Sequence, residues 1–135
     1  MALIEWKQDF SVKIKKFDNQ HKVLFDIINA LYDLIENASD KEELVKLIDN
    51  LRLYAERHFA AEERFFDKFD YPESEAHKKE HRMFEQRVMD YKNSVLNDEE
   101  LDISEILEFL VDWLVIHIKK TDKQYSAFLN SKGVF

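Results

Sequence analysis

The chain has no cysteine, and only one glycine and one proline among its 135 residues. Without cysteine there are no disulfides, thiolate zinc sites, iron–sulfur clusters or cysteine nucleophiles. So little glycine and proline ill suits a sheet protein, whose tight turns use both. It favours long helices joined by short connections. No apolar run approaches the roughly 18 residues of a membrane span, so no membrane insertion is expected. The opening M-A-L-I-E-W-K-Q-D-F lacks a basic segment followed by an apolar stretch. No secretory signal is read there, and the expected location is the cytoplasm. Positive charge is also short: 20 basic residues face 28 acidic ones, for a net charge of −8. An acidic surface disfavours nucleic acid and anionic membranes as partners, since both are polyanions.

The chain has instead enough apolar material for a core, 45% hydrophobic and 13% aromatic. Its length suits a single domain over residues 1–135. Residues 1–16 read as an arm, with Phe10, Val12 and Ile14 at the even spacing of an extended segment. Four helices are expected, at about 18–37, 41–69, 73–96 and 103–130. Asp18 is the expected N-cap of the first. Asp40 with Glu43, and Asp102 with Glu105, have capping-box spacing before the second and fourth. D-Y-P-E at Pro72 separates the second from the third, because proline suits only a first helical turn.

Each helix carries an apolar stripe stepping by three and four residues, the seam pattern of bundled helices. The first stripe runs Phe17, His21, Leu24, Ile28, Leu31; the second runs Leu51, Ala55, His58, Glu62, Phe65, Phe69. The third carries His77, His81, Phe84, Val88, and the fourth Leu110, Trp113, His117, then Asp122, Tyr125, Leu129. All five histidines therefore fall on core stripes, together with Glu62 and Asp122. A buried carboxylate is costly unless it is paired or bound to metal.

Short connections make neighbouring helices antiparallel, so height in the bundle can be counted from each connection. From Ser39, His21 lies 18 residues back and His58 lies 19 forward. Both then sit roughly 27–29 Å from that end. From Glu100, His77 and His81 are 23 and 19 back, while His117 and Asp122 are 17 and 22 forward. From Tyr71, Glu62 is 9 back and His77 is 6 forward. All seven groups are expected in one layer of the core, which points to a buried metal site. They are too many for one tetrahedral zinc. Imidazole with carboxylate suits iron, and also manganese, copper or zinc. For two octahedral ions, five imidazoles, two bridging carboxylates and one bridging oxide or hydroxide fill all positions but one.

The spacing within the fourth stripe is irregular. His117 to Asp122 is a five-residue step, about 140° around an ideal helix. A local π-type bulge at 117–122 is expected. Glu63 is read as part of a solvated helix face, as are the K-K-E and K-K-T runs at 78–80 and 119–121.

The segments D-N-Q-H ending at His21, H-F-A-A-E-E from His58, H-K-K-E-H from His77 to His81, and W-L-V-I-H-I-K-K-T-D from Trp113 to Asp122 resemble the haemerythrin family, in particular its single-domain bacterial members. The resemblance covers nearly the whole chain. It implies an all-α, antiparallel up-down-up-down four-helix bundle with an N-terminal arm. It implies a di-iron cofactor, two oxo- or hydroxo-bridged ions. His77, His81 and His117 would hold one iron, His21 and His58 the other, and Glu62 and Asp122 would bridge them. The vacant position would lie on the iron with two histidines. There O2 would bind reversibly, for storage, transport or sensing, with NO or small anions as other ligands. Leu24, Phe59, Trp113, Leu114 and Ile118 match the family's apolar oxygen pocket. A monomer is expected.

Carboxylate-rich di-iron oxidases use paired E-x-x-H motifs, and the site here has H-x-x-x-E and H-x-x-x-H instead. With no spare acid or base read on the stripes at this layer, binding is expected rather than enzymatic turnover. A di-iron oxidase, peroxidase or nitric oxide-handling enzyme is the alternative. Many bacterial relatives have glycine where this chain has Lys13, which singles out the backbone of the arm there.

Overall fold

A computed structural model describes residues 3–36, 41–97 and 103–135. Among these there is no strand. Helices α1 (Lys15–Glu36), α2 (Lys41–Phe69), α3 (Ser74–Leu96) and α4 (Ile103–Ile116) form the bundle. α4 runs without a break through a π-helical turn, His117–Asp122, into α5 (Lys123–Ser131), so the three together make the fourth rod. The result is the all-α antiparallel four-helix bundle with an N-terminal arm. No described helix is long and apolar enough to cross a membrane.

The stripes form the core because a residue every three or four positions returns to one face of a helix. Phe17, Leu24, Ile28 and Leu31 of α1 are buried with Ile48, Leu51 and Ala55 of α2, Phe84 and Val88 of α3, and Ile106, Leu110 and Leu114 of α4. Each such large side chain contributes about 1.5–3 kcal/mol by leaving water. The second stripe drifts at its end. Phe66 is the buried residue there, while the expected Phe65 and Phe69 are only partly covered. From Glu62 the seam continues by a step of four rather than three.

Asp18 is not the N-cap of α1. The helix already begins at Lys15, with Asp18 N–H donating to Ile14 O at 3.0 Å. The Asp18 carboxylate accepts instead from Val12 N–H at 2.8 Å and Ser11 Oγ–H at 2.6 Å. It fixes the arm to the first helical turn, where negative charge is favoured. Asp40 and Asp102, the caps expected for α2 and α4, lie outside the described residues.

The arm is not uniformly extended. One 3-10 turn, Gln8–Phe10, interrupts it, while Phe10, Val12 and Ile14 are buried. Asn29 clasps its start by accepting from Ile4 N–H and donating to Ile4 O. Ser126 Oγ and Asn130 Nδ2 of α5 donate to the carbonyls of Val12 and Lys13. Between these fixed points Lys13 takes φ 61°, a left-handed conformation.

α2 ends when Asp70 turns left-handed at φ 52°, letting Tyr71 N–H donate back to Phe66 O at 3.0 Å. This is the Schellman arrangement, and aspartate tolerates the conformation better than most residues. Pro72 then precedes α3. The lone glycine, Gly133 at φ 84°, closes α5 in the same way, with Val134 N–H donating to Leu129 O.

Candidate metal centre

Four rods deliver seven polar side chains to one level of the core. His21 comes from α1. His58 and Glu62 are one turn apart on α2, and His77 and His81 one turn apart on α3. His117 and Asp122 stand at the two ends of the π turn, whose wider winding brings a five-residue step onto one face. None of the seven is more than 2% exposed.

Their inner atoms converge in two overlapping groups. Glu62, His77, His81 and His117 form one; His21, His58, Glu62 and Asp122 form the other, with ligand atoms in each group within 4.8 Å of one another. Asp122 faces both sides. Its Oδ1 stands 2.9 Å from His117 Nε2 and 3.0 Å from His77 Nε2, and its Oδ2 stands 3.1 Å from His21 Nε2. Glu62 Oε1 lies between the groups, 3.1 Å from His81 Nε2, 3.5 Å from His58 Nε2 and 3.7 Å from His77 Nε2. His21 Nε2 and His58 Nε2 are 3.0 Å apart.

These separations fit metal ions. Ligand atoms at about 2.1 Å from one ion, at right angles, lie about 3 Å from each other. The inner Nε2 atoms of His77, His81 and His117, with Glu62 Oε1 and both Asp122 oxygens, are buried and have no hydrogen-bond partner among the described residues. Buried polar atoms are rarely left this way, and six pointing at one another suit coordination to a cation.

The same crowding sets the intrinsic charge preferences of these side chains. Burial, partly opposed by Glu62, depresses His58 to about 3. Burial also works against the charged forms of His77 and His117, but Asp122 outweighs it, helped by Glu62 at His77 and by Glu80 at His117. They rise to about 9 and about 10. Burial opposes charge on both Glu62 and Asp122, and Asp122 adds to this at Glu62, yet the surrounding imidazoles hold both well below the usual carboxylate range.

The outer atoms of the ligand set show what sequence reading missed. His58 Nδ1–H donates to Gln20 Oε1 at 2.5 Å. His81 Nδ1–H donates to Glu63 Oε2 at 2.8 Å, and Arg82 Nη2 binds the same oxygen. Glu63 is therefore not a solvated side chain but the partner of a site histidine. Glu80 Oε1, held by Thr121 Oγ1–H at 3.2 Å, stands 3.8 Å from His117 Nδ1, so parts of the K-K-E and K-K-T runs also face the site. Tyr125 Oη–H donates to Glu62 Oε2 at 2.5 Å. The layer thus does hold a further proton-bearing group. Burial and the charges of Glu62 and Asp122 push this phenol well above 10. The available signal was Tyr125's place on the core stripe, because a buried phenol hydroxyl needs an acceptor. Gln20, Glu63 and Thr121 each adjoin a predicted site residue in sequence, at positions that a helix can equally give to solvent.

Aromatic rings fix the imidazoles. Phe59 stacks on His81, with centroids 3.9 Å apart and planes at 9°, and Trp113 stacks on His117 at 4.3 Å and 12°. Phe59 also lies 5.8 Å from His58, so it touches both ligand groups. Leu24, Leu114 and Ile118 are buried, while Trp113 is partly covered.

The Hemerythrin HHE cation binding domain matches residues 12–129 of the chain. Bacteriohemerythrin of Clostridium acetobutylicum is 35% identical over 124 residues, covering 89% of this chain and 96% of that protein. Bacteriohemerythrin of Methylococcus capsulatus is 33% identical over 132 residues, covering 97% of this chain and all of that one. The crystal structure of wild-type hemerythrin superposes with a TM-score of 0.87 at 33% identity, over 93% of this chain and 97% of that chain. With its bundle, its buried histidine–carboxylate layer and these relatives in agreement, the chain belongs to the hemerythrin family.

Proposed function

We propose that this protein, acting as a single domain, binds molecular oxygen reversibly at a pair of iron ions, for storage, delivery or sensing. One observation carries the reading. Two ligand groups of unequal histidine content share Glu62 and both meet Asp122 inside one buried layer. His77, His81 and His117 would hold one ion and His21 and His58 the other, with Glu62 and Asp122 between them. With one bridging oxide or hydroxide counted besides these residues, two octahedral ions would keep one position unfilled, on the side with fewer histidines. When bound, the ion pair supplies the electrons that bind dioxygen; the protein supplies geometry and surroundings.

Those surroundings favour binding over turnover. Leu24, Leu114 and Ile118 are buried apolar side chains that would wall the site, and Phe59 and Trp113 stack their rings on His81 and His117. A dry apolar wall withholds the protons that turnover would consume. Tyr125 could supply one, but its hydroxyl hydrogen is held by Glu62 Oε2. An oxidase or peroxidase would also be expected to carry E-x-x-H pairs at the site, where this chain has His58 with Glu62 and His77 with His81 at four-residue steps. Both groups come from one chain, so the active form is taken as a monomer.

The test loads the protein with ferrous iron under inert gas, admits air, and then removes oxygen. A visible charge-transfer band that appears and fades reversibly supports the carrier. Irreversible bleaching with peroxide release shows an oxidase and refutes it.

A further inference from the structure

The two ligand groups differ in histidine number and also in what stands behind the histidines. In the three-histidine group, His81 Nδ1–H is held by the Glu63 carboxylate at 2.8 Å, and Arg82 anchors that carboxylate from the surface. His117 Nδ1 has the Glu80 carboxylate at 3.8 Å, too far for a direct hydrogen bond but close enough for its charge to act. Thr121 holds Glu80 in place. In the two-histidine group, His58 Nδ1–H meets a neutral amide oxygen, that of Gln20, and His21 Nδ1 is buried with no partner among the described residues. Among the described residues, two of three imidazoles on one side are backed by negative charge, and neither imidazole on the other side is.

A carboxylate accepting from the outer N–H of a ligating imidazole raises the electron density at the inner nitrogen and fixes the ring. A neutral amide fixes the ring without adding charge. We propose that Glu63 and Glu80 are positioning residues that make the three-histidine position retain its cation more tightly than the two-histidine position, which Gln20 keeps electrically neutral from behind. This rests on the two-ion reading above. It gives that reading an order of filling and release: the three-histidine position fills first and empties last. It also leaves the more weakly held ion on the side where the ligand count places the unfilled position.

The test follows cobalt(II), loaded into the otherwise native full chain, as a chelator in excess removes it. Wild type is expected to lose its metal in two phases, the fast one absent from His21→Ala. Glu63→Gln should speed the slow phase about ten- to a hundredfold, the usual cost of losing such a partner. It should change the fast phase less than about twofold. Glu80→Gln should act in the same direction more weakly, because its contact is longer. Gln20→Glu should slow the fast phase and leave the slow phase in place. This variant decides the matter alone should Glu63→Gln fail to fold. Two bound cobalt ions with both phases moving together in Glu63→Gln and Gln20→Glu would overturn this inference and leave the two-ion site standing. Fewer than two bound ions in wild type would overturn both.

Discussion

Tyr125 and Tyr71 allow the same chemical change, loss of a buried phenol hydroxyl, to be made in two opposite settings. Tyr125 is 0% exposed and donates to Glu62 Oε2, itself on a 0% exposed residue. Tyr71 is 6% exposed, and its hydroxyl has no hydrogen-bond partner among the described residues. Burial drives that phenol up to about 12, in keeping with a hydroxyl cut off from solvent. Tyr125→Phe removes a hydrogen bond to a charged acceptor and strands one carboxylate oxygen. This costs about 1.5–3 kcal/mol. For a chain of this size each kcal/mol moves Tm by about 4 °C, so a fall of about 6–12 °C is expected. Tyr71→Phe deletes a polar group without a partner among the described residues, so stability should hold or rise by up to about 1 kcal/mol. Thermal unfolding of the metal-loaded variants, followed by far-UV circular dichroism, measures both. Equal shifts in the two variants, or a larger loss for Tyr71→Phe, would refute the assignment of Tyr125 as the partner of Glu62.

Four further outcomes are expected. Because the metal-free site holds protons on His77 at about 9 and His117 at about 10, filling it between pH 7.5 and 8.5 should release about two protons per molecule, read with an indicator dye in weak buffer. Unperturbed imidazoles, at about 6.5, would release almost none. The same shifts fix the sign of stability in the metal-free protein. The contribution of His77 and His117 is complete below about 6.5 and fades as pH rises through 9 to 10, whereas His58, depressed to about 3, destabilises the fold as pH falls below about 6.5. At Lys13, with φ 61°, Lys13→Gly should leave stability unchanged or raise it by up to about 1 kcal/mol in urea unfolding. Lys13→Val should lower it by at least about 1 kcal/mol, and a valine tolerated as well as glycine would contradict the strained backbone. Phe59→Ala empties a site that is 2% exposed and removes the ring stacked on His81, so a loss of about 3–5 kcal/mol is expected by chemical denaturation.

The convergence of seven side chains was legible from numbering alone. Helices of fixed rise joined by short connections must run antiparallel, so residues equidistant from a connection share a height. His21 and His58 meet for that reason. The π turn was legible too: Asp122 and the stripe after it, Tyr125 and Leu129, are out of phase with His117 unless the helix winds wider between them. Asp18 was misread because its residue type suits a cap as well as it suits the anchor of an arm. What it does depends on Ser11 and Val12 lying above it. Phe66 replaced Phe65 in the core because the seam drifts slowly around a long helix, and only the rotation of α2 against its neighbours settles which ring turns inward.

The sequence by itself determined that this chain forms a helical bundle with a layer of histidines and two acids at mid-height, because periodicity and length are properties of the chain taken one helix at a time. Only the tertiary structure decided that Gln20, Glu63 and Glu80 stand behind those histidines and that Tyr125 holds Glu62. Each of these contacts joins two different helices, or a helix to the π turn. A flank residue on one helix is either solvated or buried against an imidazole according to the rotation and spacing of the next, which no single stretch of sequence contains.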